Sequence, residues 1–230
     1  MQDLTQFIDQ LNDWNAQNRF GEVLAEVSTV LDRHSVSDND DLSALYVLRG
    51  NALYGLGRFE EATQSYAKAI ELDTFNVQAR CNYGSTLLTL GRYVDALNAC
   101  DAAILTDENF APSYVNAAHC LSALNHDDEA VYALRQAFTL EPDNAELGLT
   151  VANMAAGLND FGVALDTYMA VAGLPDSPSD IHQTIYQFLE QAKSDPDLPR
   201  ADWQKGLDAW RAKFISTPEV LRLYGELMRA

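Results

Sequence analysis

Basic side chains are scarce. Against 34 Asp and Glu, the 230-residue chain carries only 15 Lys and Arg, a formal charge of −19. Such a surface repels phosphate backbones and anionic lipid, which argues against nucleic-acid binding and membrane-surface binding. Cysteine is scarcer still. Cys81, Cys100 and Cys120 are odd in number and lack Cys-x-x-Cys spacing, so neither a disulfide framework nor a zinc site is expected. No apolar run reaches membrane-spanning length, and the opening stretch Met1-Gln2-Asp3-Leu4-Thr5-Gln6-Phe7-Ile8-Asp9 has neither a basic segment nor an apolar one. The expected location is therefore cytoplasmic.

Signatures of chemistry are also missing. His34, His119, His126 and His182 show no His-x-x-x-His spacing, and there is no Gly-x-Ser-x-Gly and no phosphate-cradling glycine loop. Gly55-Leu56-Gly57 superficially suggests a dinucleotide loop, but its echo at Leu90-Gly91 makes it punctuation between helices. The chain reads as non-enzymatic, with no catalytic residues, no metal and no cofactor.

What the chain does have is repetition. Its 47% apolar and 10% aromatic content is too rich in core formers for a disordered chain, and its length suits one or two domains. Written with a period of 34, columns fall into register: Gly57, Gly91, Asn125, Asn159; Ala62, Ala96, Ala130, Ala164; Ala69, Ala103, Ala137, Val171. Small residues recur at Gly50, Gly84, Ala118 and Ala152, and larger ones at Tyr66, Cys100, Leu134 and Tyr168.

Within residues 43–76, Leu45, Leu48, Ala52 and Leu56 recur at helical spacing until Gly55-Leu56-Gly57 ends the helix. A second helix is predicted from about Phe59 to Leu72, with Glu60 and Glu61 in its first turn, where the helix dipole favours acids. Helices of about 13 residues are marginal alone, and a single hairpin leaves an apolar face uncovered, so stability must come from stacking.

The run Gly50-Asn51-Ala52-Leu53-Tyr54-Gly55-Leu56-Gly57-Arg58-Phe59-Glu60-Glu61-Ala62, the 34-residue period, and the segments ELD at 71–73 and LEPDN at 140–144 resemble tetratricopeptide repeats. The resemblance covers 43–76, 77–110, 111–144 and, less perfectly, 145–178. An earlier degenerate repeat over 1–42 is suggested by Asn18-Arg19-Phe20-Gly21-Glu22-Val23, displaced by 39 residues, with the five extra residues assigned to a polar loop at 35–41. The implied fold is all-α, a right-handed α-superhelix (TPR solenoid) over 1–178 with a helical C-terminal cap over 179–230. Departures are Arg80 and Gly148 where Tyr46 and Tyr114 stand elsewhere, and Asp127 in a column otherwise aromatic. The predicted cap has three stripes: Ile181, Ile185, Phe188, Leu189, Ala192; Trp203, Leu207, Trp210, Phe214; and Val220, Leu221, Tyr224, Leu227, Met228.

The resemblance further implies that the first helix of each repeat lines a concave face that binds a segment of another protein. Carried over by position, that groove comprises an apolar row (Val47, Cys81, Val115, Leu149), a polar row (Asn51, Ser85, His119, Asn153), and Tyr54, Leu88, Asn82 and Asn116 beside them. Chaperone-associated members of the family clamp a terminal carboxylate with lysine, arginine and asparagine. Asn51, Asn82 and Asn116 supply amides here, but Val47, Pro112 and Asn116 occupy the cationic positions, which disfavours an acidic EEVD-like terminus.

The charge is uneven. Residues 93–192 hold 15 acids and one base, Arg135, whereas residues 193–230 hold 6 acids and 7 bases. The acidic middle reads first as a solvated coat that keeps the chain soluble, and second as a surface that attracts a basic segment, the nearest being the chain's own tail. The leading expectation is an interaction scaffold whose partner is a peptide or helix, basic if the acidic surface takes part; the alternatives are a self-associating structural protein whose basic, aromatic tail (199–230; Trp203, Lys205, Trp210, Arg211) docks on another copy, and a secretion-type chaperone.

Overall fold

A computed structural model describes residues 4–33 and 36–229. Among the described residues there are thirteen α-helices and no strands, in the order α1 (Leu4–Ala16), α2 (Phe20–Asp32), α3 (Asn39–Gly55), α4 (Phe59–Leu72), α5 (Val77–Thr89), α6 (Tyr93–Thr106), α7 (Ala111–Ala123), α8 (Asp127–Leu140), α9 (Ala145–Gly157), α10 (Phe161–Ala172), α11 (Ile181–Lys193), α12 (Arg200–Lys213) and α13 (Pro218–Arg229). The all-α repeat fold follows the sequence period, and α4 has the predicted bounds. None of these helices is long and apolar enough to cross a membrane.

The turn within each helix pair is the most strictly repeated feature. Asn18, Gly57, Gly91, Asn125 and Asn159 have φ of 59°, 72°, 73°, 63° and 59°. The left-handed conformation costs a residue with a β-carbon roughly 1–2 kcal/mol, least for asparagine, which explains why only Gly and Asn fill this column. In every case the next residue donates its N–H to the carbonyl five residues back, Arg19 to Trp14, Arg58 to Leu53, Arg92 to Leu87, His126 to Leu121 and Asp160 to Ala155, each at 2.9 Å. This satisfies carbonyls that the ending helix leaves unpaired. The first-helix stripe stops here too: Leu45, Leu48 and Ala52 are buried, but Leu56, in the turn, is exposed.

The chain divides into two compact units, Met1–His126 and Asp127–Ala230. The division falls within the third repeat rather than at 178, where the array is expected to end.

In the first unit, α3 packs on α4, α5 on α6, and the first helices also touch their successors, α1 on α3, α3 on α5 and α5 on α7. Leu11, Val23, Val27 and Leu45 fill one core, and Leu53, Ala62, Tyr66 and Ala79 the next. At Gly50 a β-carbon would lie 2.5 Å from the Tyr66 ring, so the glycine of the small-residue column makes room for the tyrosine of the large one. Asn76 ties two repeats together: its Oδ1 accepts from Ala79 N at 2.9 Å, capping α5, while its Nδ2 donates to buried Ser43 Oγ at 2.9 Å, which donates to Ala69 O. The predicted polar loop at 35–41 is shorter than expected. Asp38 caps α3 by accepting from Asp40 N and Asp41 N, so 39–41 form the first helical turn, where the dipole favours Asp40 and Asp41; Ser35 lies outside the described residues.

In the second unit, α9 packs on α10, α10 on α11 and α12, and α11 and α12 on α13. Ile185, Leu189, Leu207 and Trp210 are fully buried there. The predicted stripe of α13 is out of phase. Val220, Leu223 and Leu227 are buried, whereas Leu221 and Met228 are 45% and 53% exposed, because spacings of three and four from Val220 reach Leu223 and Leu227.

The tail's tryptophans and several basic groups beside them are held within this unit, whereas Lys205 is exposed. Trp203 and Trp210 are buried, and Trp203 Nε1 donates to Leu189 O at 2.7 Å. Lys193 and Lys213 donate to Leu227 O and Met169 O, Arg222 pairs with Glu226, and Arg211 lies over the Tyr224 ring. A tail that docks through Trp203 and Trp210 on another copy would first have to leave this core.

Candidate functional site

The residues proposed for one groove occupy three kinds of position. Val47 and Cys81 are 8% and 3% exposed and belong to the core. Their column faces the neighbouring repeat because consecutive first helices pack directly, α3 on α5 and α5 on α7. Leu88 and Val115 are half-buried, and His119 is exposed. In the second unit Leu149 packs partly into the core and Asn153 is exposed.

Four of the residues come together in the first unit. Asn51, Tyr54, Asn82 and Ser85 line a pocket of about 220 Å³ together with Phe20, Gly55, Tyr66 and Thr86. Its geometry follows from the repeat. Asn51 and Tyr54 come from α3, Asn82, Ser85 and Thr86 from α5, and Phe20 reaches in from α2 because Gly55 has no side chain; a β-carbon there would lie 2.5 Å from the Phe20 ring.

The polar groups are fixed by a network. Asn51 Oδ1 accepts from Tyr66 Oη at 2.7 Å and from Asn82 Nδ2 at 2.9 Å, while Asn82 Oδ1 accepts from Gln78 Nε2. Burial pushes the Tyr66 hydroxyl well above the ordinary tyrosine range, so it stays a donor at neutral pH. With both acceptor directions of Asn51 used, its Nδ2 and the Ser85 hydroxyl remain without partners among the described residues. Tyr54 Oη meets Thr89 Oγ1 at 3.2 Å, and its ring meets Phe59 edge-on at 5.2 Å. Asn116 instead serves the core, its Nδ2 lying 3.3 Å from Cys81 O and 3.2 Å from Cys81 Sγ.

Sequence reasoning missed Phe20, Gly55, Tyr66 and Thr86. A signal for Tyr66 was present: Tyr168 Oη donates to Asn153 Oδ1 at 2.5 Å, and this Asn–Tyr pair stands in the same two columns as Asn51–Tyr66. The three cysteines are buried thiols. Burial raises the Cys81 pKa, and hydrogen bonding to Cys120 together with burial raises that of Cys100. No three His, Cys, Asp or Glu side chains among the described residues gather as a metal centre would require.

Tandem helix pairs, joined by one recurring left-handed turn and packed within each pair through a small-residue column, are the build of tetratricopeptide repeats. Two models of the tetratricopeptide repeat match it, over residues 47–113 and 111–144. It is similar to the DnaJ homolog subfamily C member 7 homolog of Dictyostelium discoideum, 29% identical over 102 residues, covering 43% of this chain and 19% of that one. It is also similar to the Hsp70-Hsp90 organizing protein of Triticum aestivum, 23% identical over 186 residues, covering 78% and 28%. The chain thus spans less than a third of the length of either relative. Among solved structures, MamA (41-end) from Desulfovibrio magneticus RS-1 superposes with a TM-score of 0.62 at 19% identity, covering 78% of this chain and 99% of that one.

Proposed function

We propose that the protein is a non-enzymatic interaction adaptor that holds a segment of another protein, anchored at the first-unit pocket. The observation that carries this reading is the Asn51–Asn82–Tyr66 network. It holds two amides in place beside the Phe20 and Tyr54 rings and leaves Asn51 Nδ2 and Ser85 Oγ without partners among the described residues. Extended peptides are recognised by such mixtures of fixed amides for the backbone and apolar walls for alternate side chains. No charged residue lines the pocket, so the ligand is an uncharged stretch of chain rather than an acidic terminus, for which no counter-charge is present. The name of the wheat relative, an organizing protein for Hsp70 and Hsp90, agrees with a role in joining proteins.

The test is selection of a heptapeptide display library on the immobilised full chain, with Ser85→Trp as comparison. The Ser85 column accepts a ring at His119, so this variant is expected to fold, which circular dichroism checks. Selected peptides are expected to lose about tenfold or more in affinity for Ser85→Trp. Unchanged binding to a folded variant overturns the assignment of this pocket.

A further inference from the structure

The second unit has a pocket that the repeat pattern does not predict. Its volume is about 320 Å³, and its lining includes Phe161, Phe188, Gln191, Ser194, Asp195 and Leu198. This is near the lower end of the range for small-molecule sites, about 300–1,000 Å³, and suits one side chain better than a larger ligand. The two phenylalanine rings stack on each other with centroids 5.5 Å apart and planes 18° from parallel, which holds an aromatic wall in place.

Opposite charge for a cation is built in. Asp195 Oδ1 accepts from Asp197 N at 2.9 Å, and Oδ2 has no partner among the described residues. No Lys or Arg lines the pocket. The second unit as a whole is acidic, with 17 acids against 8 bases over 127–230, so a cation is drawn toward it before it docks.

We propose that this pocket receives an arginine side chain from a partner protein. A planar guanidinium both stacks on an aromatic wall and forms directed bonds to a carboxylate, which a lysine ammonium does only as a point charge. The aliphatic stem packs against Leu198 and the rings. The chain's own tail is not the source, because its arginines are held elsewhere in the unit: Arg200 over the Trp203 ring, Arg211 over Tyr224, Arg222 on Glu226 and Arg229 on Gly225 O. The site is separate from the first-unit pocket, and the proposal stands or falls without it.

The experiment is an NMR titration of the full ¹⁵N-labelled chain with N-acetyl-arginine amide, and in parallel with N-acetyl-citrulline amide, which has nearly the same shape and no charge. Saturable shifts are expected at Asn159, Phe188, Ser194 and Asp195 with the arginine probe, several-fold weaker with citrulline. Asp195→Asn preserves the bond to Asp197 N and is expected to weaken arginine binding about three- to tenfold. Asp166→Asn removes an exposed carboxylate that does not line the pocket, and is expected to leave binding unchanged. Equal binding of both probes, equal effects of the two variants, or shifts centred elsewhere would overturn the proposal.

Discussion

Gly50 and Tyr66 show how one residue's absence of a side chain sets its neighbour's identity. The ring lies where a β-carbon would be, and it is both buried and hydrogen-bonded to Asn51, so it cannot simply swing away. Overpacking of this kind costs about 1–3 kcal/mol. Gly50→Ala is expected to fall toward the low end, since Ala152 and Tyr168 coexist in the same columns of the fourth repeat. Urea denaturation should show the loss, and Gly50→Ala combined with Tyr66→Leu should cost less than the sum of the single changes. Additive losses would mean that the ring is not what confines Gly50. At this scale much was legible. The column Gly57, Gly91, Asn125, Asn159 announces left-handed turns because few other residues adopt them cheaply. The pairing of Asn51 with Tyr66 was not read, because a hydrogen bond fifteen residues apart across a hairpin leaves no periodic mark until its copy at Asn153 and Tyr168 is noticed.

Among the elements, α11 and α12 meet through aromatic rings, with His182 4.8 Å from Phe214 and 6.4 Å from Trp210, centroid to centroid. His182 Nδ1 and Trp210 Nε1 are buried without hydrogen-bond partners among the described residues. Desolvation lowers the His182 pKa, with Glu219 acting in the opposite direction. The folded state therefore favours neutral imidazole, and the unfolded chain binds the proton more readily. The resulting stability is full above the ordinary histidine value of about 6.5 and is lost as pH falls through the folded value. His182→Gln should flatten that part of the stability profile between neutral and mildly acidic pH, measured by denaturant midpoints; a variant with the wild-type slope would exclude His182 as the cause. Helices 11 to 13 were legible as helices from their spacing, but the phase of α13 was not. Val220, Leu221, Tyr224, Leu227 and Met228 fit a broad stripe almost as well as Val220, Leu223 and Leu227, and only packing against α11 and α12 decides between them. The second-unit pocket was illegible for a related reason: its walls come from a repeat turn, α11 and the segment after it, which share no column.

For the molecule as a whole, the charge of −19 sets a condition on stability. Its surface ion pairs, such as Arg58–Glu61 and Arg92–Asp95, are exposed and local, and contribute little against the surplus of acids. Screening should therefore stabilise the protein. The thermal midpoint is expected to rise from low salt to about 0.15 M ionic strength, where the screening length is about 8 Å. A falling midpoint would show that attractive pairs outweigh repulsion. Cys81, Cys100 and Cys120 all lie in the first unit, and all are buried; Trp203 and Trp210 are buried in the second. Each unit thus carries its own native reporter. Uptake of a thiol reagent clocks the opening of the first unit, and a change in indole emission follows the second, though Trp14 adds a background. Two clocks in one unmodified chain would reveal whether the halves of the repeat array come apart together or in turn.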